Sequence, residues 1–362
     1  MNLYQTRREQ IYQKLTKEQT QAMLVFNEKN IRYLTGFTGD EAQLLLTESG
    51  NAILMSDSRF MAQIETEVDD KVTIYNKTNS LLQELATVIT KQKLTELVVE
   101  GDDISASLFI DLKESLSAIE LTLCHQWVEQ LQMIKDEGEI SLIKKAIEIS
   151  EQSLEKVLPK ITPGITEKEI ANLLDFQLKQ DGLSDISFET IVASGYRSAW
   201  PHGAASDKKI EKNELVTIDF GGYYKGYTSD ITRTFAVGEV SDELKKIYHI
   251  VLEANRRATA KAKIGCTGLE VDRAARKYIQ ECGYGQYFGH GIGHGIGLNV
   301  HELTDPRLSF KDVTLQKDMI ITIEPGIYVP GLGGVRIEDD VLITDGEPEV
   351  LTSLPKAELI KL

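Results

Sequence analysis

The feature that most constrains this chain is the uneven distribution of the two residues that interrupt regular structure. Residues 1–130 hold no proline and only four of the 27 glycines, Gly36, Gly39, Gly50 and Gly101; all eight prolines and the remaining glycines come later. Glycine raises the entropic cost of ordering a backbone, and proline removes a hydrogen-bond donor and fixes φ. The first stretch can therefore build uninterrupted strands and helices, while the second must be rich in turns and close backbone approaches. For 362 residues this predicts two domains, 1–130 and 131–362. In the first, residues 21–27, 42–47, 51–56 and 96–102 read as strands, and 58–68 and 80–92 as helices, a small α/β domain.

The second part opens on EISLIKKAIEISEQSLEKVL (139–158), where Ile143, Ile147, Leu154 and Leu158 share a helical face. A further helix follows Thr166, which has capping-box spacing to Glu169, and Gly182 marks its end. The same signals return 101 residues later: Gly164, Thr166, Glu169, Ile170 and Gly182 correspond to Gly265, Thr267, Glu270, Val271 and Gly283. Two copies of one unit account for this echo, and so do two unrelated helices with common start and stop signals.

A net charge of −16 argues against a nucleic-acid or anionic-membrane partner. The N-terminus MNLYQTRREQIYQKL lacks the apolar run of a signal peptide, and no stretch of 18 apolar residues is present. Cys124, Cys266 and Cys282 form no CxxC and read as reduced thiols, so a cytoplasmic location is expected.

Chemistry concentrates in GHGIGHGIGLNVHE (289–302), which carries His290, His294 and His301, three of the six histidines. Alternating glycine disfavours helix, and in an extended chain His290, Ile292, His294 and Ile296 share a face. LVTIDFGG (215–222) and YTSDITRTFAVG (227–238) read as strands of a hairpin whose tip is Tyr224 and Lys225. Their aspartates, Asp219 and Asp230, are an odd 11 residues apart and so are expected to face each other directly. Facing carboxylates repel unless a cation lies between them. Glu324, preceded by apolar and β-branched residues, is expected to be buried, and Glu338 either joins the cluster or pairs with Arg336. Two aspartates, two glutamates and an imidazole suit Mn²⁺, Fe²⁺, Co²⁺ or Zn²⁺, and the excess of carboxylates suits two bridged ions. No HExxH, Walker A, strand-following GxGxxG or GxSxG motif offers another mechanism.

HGIGHGIGLNVHE (290–302), SGYRSAWPHG (194–203), VTIDFGGYYKGYTSDITRTF (216–235), ITIEPGIYV (321–329) and VRIEDDVLIT (335–344) together resemble the proline peptidases, aminopeptidase P and prolidase. NIRYLTGFTG (30–39) and SDSRF (56–60) resemble that family's creatinase-like N-terminal domain. The resemblance implies an α+β protein: a duplicated pita-bread metallopeptidase domain preceded by a smaller α/β domain. It implies Asp219, Asp230, His294, Glu324 and Glu338 as ligands of two divalent ions, Mn²⁺ first and Co²⁺ or Zn²⁺ next, with Asp230 and Glu338 bridging. It further implies that Glu324 moves the proton of an activated water. His202 would bind substrate, His290 would line the proline side, His301 would stabilise the tetrahedral intermediate, and Arg336 would support the site.

The activity this implies is cleavage of the Xaa-Pro bond at a peptide N-terminus, aminopeptidase P-like, in a homodimer. The alternative is an Xaa-Pro dipeptidase, with Arg197 or Arg307 receiving the substrate carboxylate. A metal-free hydrolase of the creatine-amidinohydrolase type, a non-catalytic peptide-binding module and a methionine aminopeptidase fit the filled ligand set and long N-terminal domain less well.

Overall fold

A computed structural model describes residues 2–302 and 313–362. The chain divides into two compact units, Met1–Gln132 and Met133–Leu362.

The first unit is built on a six-stranded sheet in the spatial order Val72–Asn76, Ala52–Ser56, Gln43–Thr47, Ala22–Val25, Glu96–Glu100, Glu120–Cys124. The three strands Ala22–Val25, Gln43–Thr47 and Ala52–Ser56 form an antiparallel meander, and the other strands add in parallel. Apolar side chains such as Leu24, Leu45, Met55 and Val99 lie in a core shared with Leu85, Ile89 and Leu112 from the flanking helices. The outer strands Val72–Asn76 and Glu120–Cys124 are more exposed, as edge strands can afford to be polar.

The second unit pairs helices with small antiparallel sheets. One sheet contains Ile191–Ser194, Glu214–Phe220 and Ile231–Val237; another contains Ile320–Ile323, Asp339–Leu342 and Glu349–Val350. A hairpin, Gly326–Val329 with Gly333–Arg336, lies between them in sequence. The sheets are tied together where Glu338 N–H donates to the Thr232 carbonyl (3.1 Å) and the Thr234 hydroxyl donates to the Arg336 carbonyl (2.9 Å). Helix Asp242–Lys261 buries Ile247, Val251, Ala254 and Ala258 against Ile321, Ile323, Val335 and Ile337. The opening helix spans Glu137–Val157, so Leu158 is not its last apolar residue but the first of a 3₁₀ turn that Pro159 continues. Among the described residues no helix is long and apolar enough to cross a membrane.

The 101-residue echo has a structural counterpart. Thr166 caps helix Glu167–Gln180 and Thr267 caps helix Gly268–Glu281, each through a complete capping box. Gly164 N–H donates to the Ile210 carbonyl, and Gly265 N–H to the Leu315 carbonyl, while Thr166 bridges to Lys209 and Thr267 to Thr314. Gly164, Gly182, Gly265 and Gly283 all have positive φ. Shared capping signals alone do not produce matched tertiary bridges, so the duplicated-unit reading is the one that holds.

Candidate metal centre and active site

Asp219 lies near the end of strand Glu214–Phe220, and its cross-strand partner is Thr232 rather than Asp230. The cause is the turn. Lys225 and Gly226, at φ 47° and 86°, form a two-residue tip, which sets the register two residues away from the one that would place the aspartates opposite each other. Asp230 precedes strand Ile231–Val237 and is a diagonal neighbour of Asp219. Gly221 makes the crossing possible, because a Cβ there would overlap the Ser229 carbonyl.

The glycine–histidine segment forms no continuous strand. Among the described residues its ladder bridges join Gly295 to Glu302 and to Ile321. Ile292 is in the apolar core, while His290 and His294 come within 3.9 and 3.8 Å of the Glu324 carboxylate. Gly293 passes so close to strand Ile320–Ile323 that a Cβ would overlap the Thr322 carbonyl. That approach lets His294 exchange backbone contacts with Thr322, whose N–H donates to the His294 carbonyl at 2.8 Å.

Asp219, Asp230, His294, Glu324 and Glu338 converge on one cavity of about 300 Å³, with His202 and His301 also in its wall. One ligand atom each from Asp230, His294 and Glu338 lie within 4.8 Å of one another. His294 Nε2 is 3.5 Å from Asp230, and its ring centroid is 4.1 Å from that of His301. Glu338 accepts from the Thr232 hydroxyl at 2.6 Å. Glu324 is less enclosed than expected, its side chain 19% exposed, and it opens toward the cavity.

Arg336 is the cation of this cluster. It donates to Asp219 (2.7 Å), the Thr232 hydroxyl (3.0 Å), the Tyr328 hydroxyl (3.0 Å) and the Pro201 carbonyl (3.1 Å), so it pairs with Asp219 and not, as one reading of Glu338 had it, with that glutamate. The Tyr328 hydroxyl is also 2.8 Å from His290 Nε2, which places His290 beside Glu324 and outside the set of residues lining the cavity. Arg197 is engaged elsewhere: its Nε donates to the buried Glu167 at 2.9 Å, and its guanidinium lies 4.6 Å from the Trp200 ring centroid. It does not line the cavity, which counts against it as a carboxylate receptor. Arg307 lies outside the described residues.

The electrostatics call for positive charge. Burial and the neighbouring carboxylates push Asp230 and Glu338 well above the ordinary carboxylate range. Burial pushes Glu324 up to about 8, with Arg336 opposing and Asp219 adding to the shift. Burial pushes His294 down to about 3 and lowers His301, so both imidazoles are neutral at pH 7. Among the described residues, one buried oxygen of Asp219, Oδ1, finds no hydrogen-bond partner. Hard oxygen donors, a neutral imidazole and an orphaned carboxylate oxygen fit divalent metal ions.

Residues 141–345 match the metallopeptidase family M24, and residues 7–134 match the creatinase/prolidase N-terminal domain. The chain belongs to metallopeptidase family M24. Three relatives of this M24 chain bracket it. A solved Xaa-Pro dipeptidase from Bacillus anthracis is 42% identical with a TM-score of 0.95, over 99% of this chain and 100% of that one. The Xaa-Pro dipeptidase of Pyrococcus horikoshii is 38% identical over 99% of this chain and 100% of its own. A solved X-Pro aminopeptidase from Thermotoga maritima is 40% identical with a TM-score of 0.89, over 98% and 99% of the two chains. As an M24 member the protein is a hydrolase of the metallopeptidase class.

Thr232 and Tyr328 join the site without standing out in the sequence. Thr232 had one available signal: it is two residues beyond Asp230 in a strand, so it shares that residue's face. Tyr328 had none in the sequence pattern alone.

Proposed function

We propose that this protein is an Xaa-Pro dipeptidase, hydrolysing the bond between a residue and a following proline with two divalent ions held by Asp219, Asp230, His294, Glu324 and Glu338. The observation that carries this reading is the convergence of four carboxylates and one neutral imidazole on a single cavity beside one arginine. The relatives move the emphasis from aminopeptidase P to dipeptidase, since those from Bacillus anthracis and Pyrococcus horikoshii are both named Xaa-Pro dipeptidases. The Thermotoga maritima structure, named an X-Pro aminopeptidase, keeps cleavage of longer peptides as the second reading.

Bound ions would supply an activated water and polarise the scissile carbonyl. The chain's own groups divide the remaining work. Glu324, open to the cavity and less enclosed than Asp230, takes the proton from the attacking water and delivers it to the departing imide nitrogen. His301 is neutral and offers a ring N–H to the developing oxyanion. His202, exposed on the cavity wall, contacts the substrate backbone. Tyr328 and Arg336 hold His290 and Asp219 in place. Apolar lining from Phe188, Ile191 and Val300 receives the side chain and ring of the dipeptide.

The finer expectations travel with this reading: Mn²⁺ as the working metal, a homodimer, and a cytoplasmic setting in keeping with three free cysteines. The deciding experiment compares Mn²⁺-loaded protein on an Xaa-Pro dipeptide and an Xaa-Pro-Yaa tripeptide. Preference for the dipeptide supports the proposal; turnover of the tripeptide alone refutes it.

A further inference from the structure

Beneath the glycine–histidine segment lies an ion pair the chemistry does not use. Lys135 Nζ donates to Glu302 Oε2 at 2.5 Å, from side chains 2% and 4% exposed. Removing two charges from water costs several kcal/mol per ion, and an apolar pair of similar volume often serves stability equally well. What this pair provides is position. The other Glu302 oxygen accepts the Leu298 N–H at 2.7 Å, and Gly297 packs so tightly on the carboxylate that a Cβ there would overlap it. Glu302 N–H donates to the Gly295 carbonyl at 2.8 Å and Gly297 N–H to the Asn299 carbonyl at 3.0 Å, closing the turn around the carboxylate.

Both imidazoles hang on this turn. His294 precedes Gly295 and sets its Nδ1 3.0 Å from the Gly295 carbonyl; His301 precedes Glu302, and the two rings meet at 4.1 Å. Lys135 is itself anchored. Its N–H donates to the Asp318 carbonyl at 2.9 Å, and it directly precedes Asp136, the N-cap of helix Glu137–Val157.

We propose that the buried Lys135–Glu302 pair is a positioning element that fixes where His294 and His301 stand relative to the carboxylates. The inference rests on the metal-dependent reading above. Lys135 touches no substrate; it acts through Glu302 and the turn.

The test uses full-length metal-free protein with Lys135→Met, Lys135→Arg and the double variant Lys135→Met/Glu302→Gln. The double variant removes both charges of the pair, and its amide oxygen can still accept the Leu298 N–H. Mn²⁺ binding is measured by calorimetry, folding by circular dichroism and urea unfolding, and kcat and KM on an Xaa-Pro dipeptide. The expected result is Mn²⁺ binding weaker by roughly 10–100-fold in the Met variants, the usual cost of losing a partner that orients a metal ligand. We expect kcat to fall, KM to change little, and Lys135→Arg to recover part of the affinity.

Mn²⁺ affinity within about threefold of wild type in a folded Met variant, whatever its unfolding midpoint, makes the pair merely structural and overturns the proposal. Should both Met variants fail to fold, Glu302→Asp decides, because it keeps both charges but shortens the arm that spans Lys135 and the Leu298 N–H: unchanged Mn²⁺ affinity and kcat overturn the proposal, and a loss of both in a folded protein supports it. Weakened Mn²⁺ binding in a protein inactive on every Xaa-Pro peptide would sink the dipeptidase reading and leave this one standing.

Discussion

Arg336 and Asp219 form a salt bridge at 2.7 Å, from side chains 4% and 13% exposed, and among the described residues it is the one guanidinium contact to the four clustered carboxylates. Breaking a buried pair by removing one partner costs about 3–5 kcal/mol, because the remaining charge is left uncompensated. Arg336→Met is expected to fall at the lower end of that range in metal-free protein, since Asp219 retains some contact with solvent. Mn²⁺ should restore part of the loss by neutralising the same carboxylates. Urea unfolding with and without Mn²⁺ measures both effects; equal losses in the two conditions would separate Arg336 from the metal cluster.

Glu324→Gln keeps the size and removes the proton acceptor. We expect the fold to survive and turnover of an Xaa-Pro dipeptide to fall by about 10²–10⁴, the range for loss of a general acid–base group. Steady-state kinetics beside circular dichroism decides it, and near wild-type kcat rules out the assigned role.

Chelation should abolish activity, and Mn²⁺ should restore it. Ligand binding to the folded state alone adds about 2.7 kcal/mol at a hundredfold excess over Kd, so Mn²⁺ should also raise Tm. A Tm indifferent to chelator and to Mn²⁺, with full activity in protein shown to be metal-free by elemental analysis, contradicts a metal-dependent mechanism.

The first unit carries its own pH dependence. Glu100 accepts from the N–H groups of Phe26 and Asn27 and from the Asn30 side chain, which also donates to Glu129. Burial outweighs these bonds and pushes Glu100 up to about 8, with Glu129 adding to the shift. Glu129 is itself raised, chiefly by burial, and Asp102, Asp103 and Cys124 lie in the same electrostatic neighbourhood. The folded state therefore binds more protons than the unfolded chain between an ordinary value near 4.5 and about 8. Its contribution to stability is complete below that window and is lost as pH rises through it. Glu100→Gln should flatten the decline, as read from urea unfolding at intervals from pH 5 to about 9. Parallel profiles for variant and wild type would assign the decline to other groups.

Gly293 and Thr322 make a separate test of backbone approach. Gly293→Ala would force strand Ile320–Ile323 away from the histidine segment. We expect weakened Mn²⁺ binding by calorimetry, with His294 displaced. Unaltered binding would mean the segment relaxes without cost.

The sequence made the candidate site legible because its donors sit in short, chemically distinctive stretches: one aspartate in a strand and one just before the next, glutamates after apolar runs, histidines between glycines. What stayed hidden was geometry that depends on backbone torsion and on distant partners. The two-residue turn at Lys225 and Gly226 shifts the register, and no count of intervening residues contains that shift. Arg197 offered a suitable charge for a substrate carboxylate, yet Glu167, 30 positions away, holds it. In the first unit, helix Leu3–Glu18 gave no apolar stripe because Arg7 and Arg8 occupy buried positions, Arg8 bonded to Asp69 and the Leu34 carbonyl, and Arg7 stacked 3.8 Å from the Tyr33 ring centroid. Strands Val72–Asn76 and Glu120–Cys124 lacked a buried run because they form the sheet's edges.

The matched bridges at Thr166 and Thr267 divide the second unit into two repeats, with Asp219 and Asp230 in one and His294, Glu324 and Glu338 in the other. Neither repeat owns the whole donor set: one supplies two carboxylates, the other two carboxylates and the imidazole, so the cavity exists only where both copies meet.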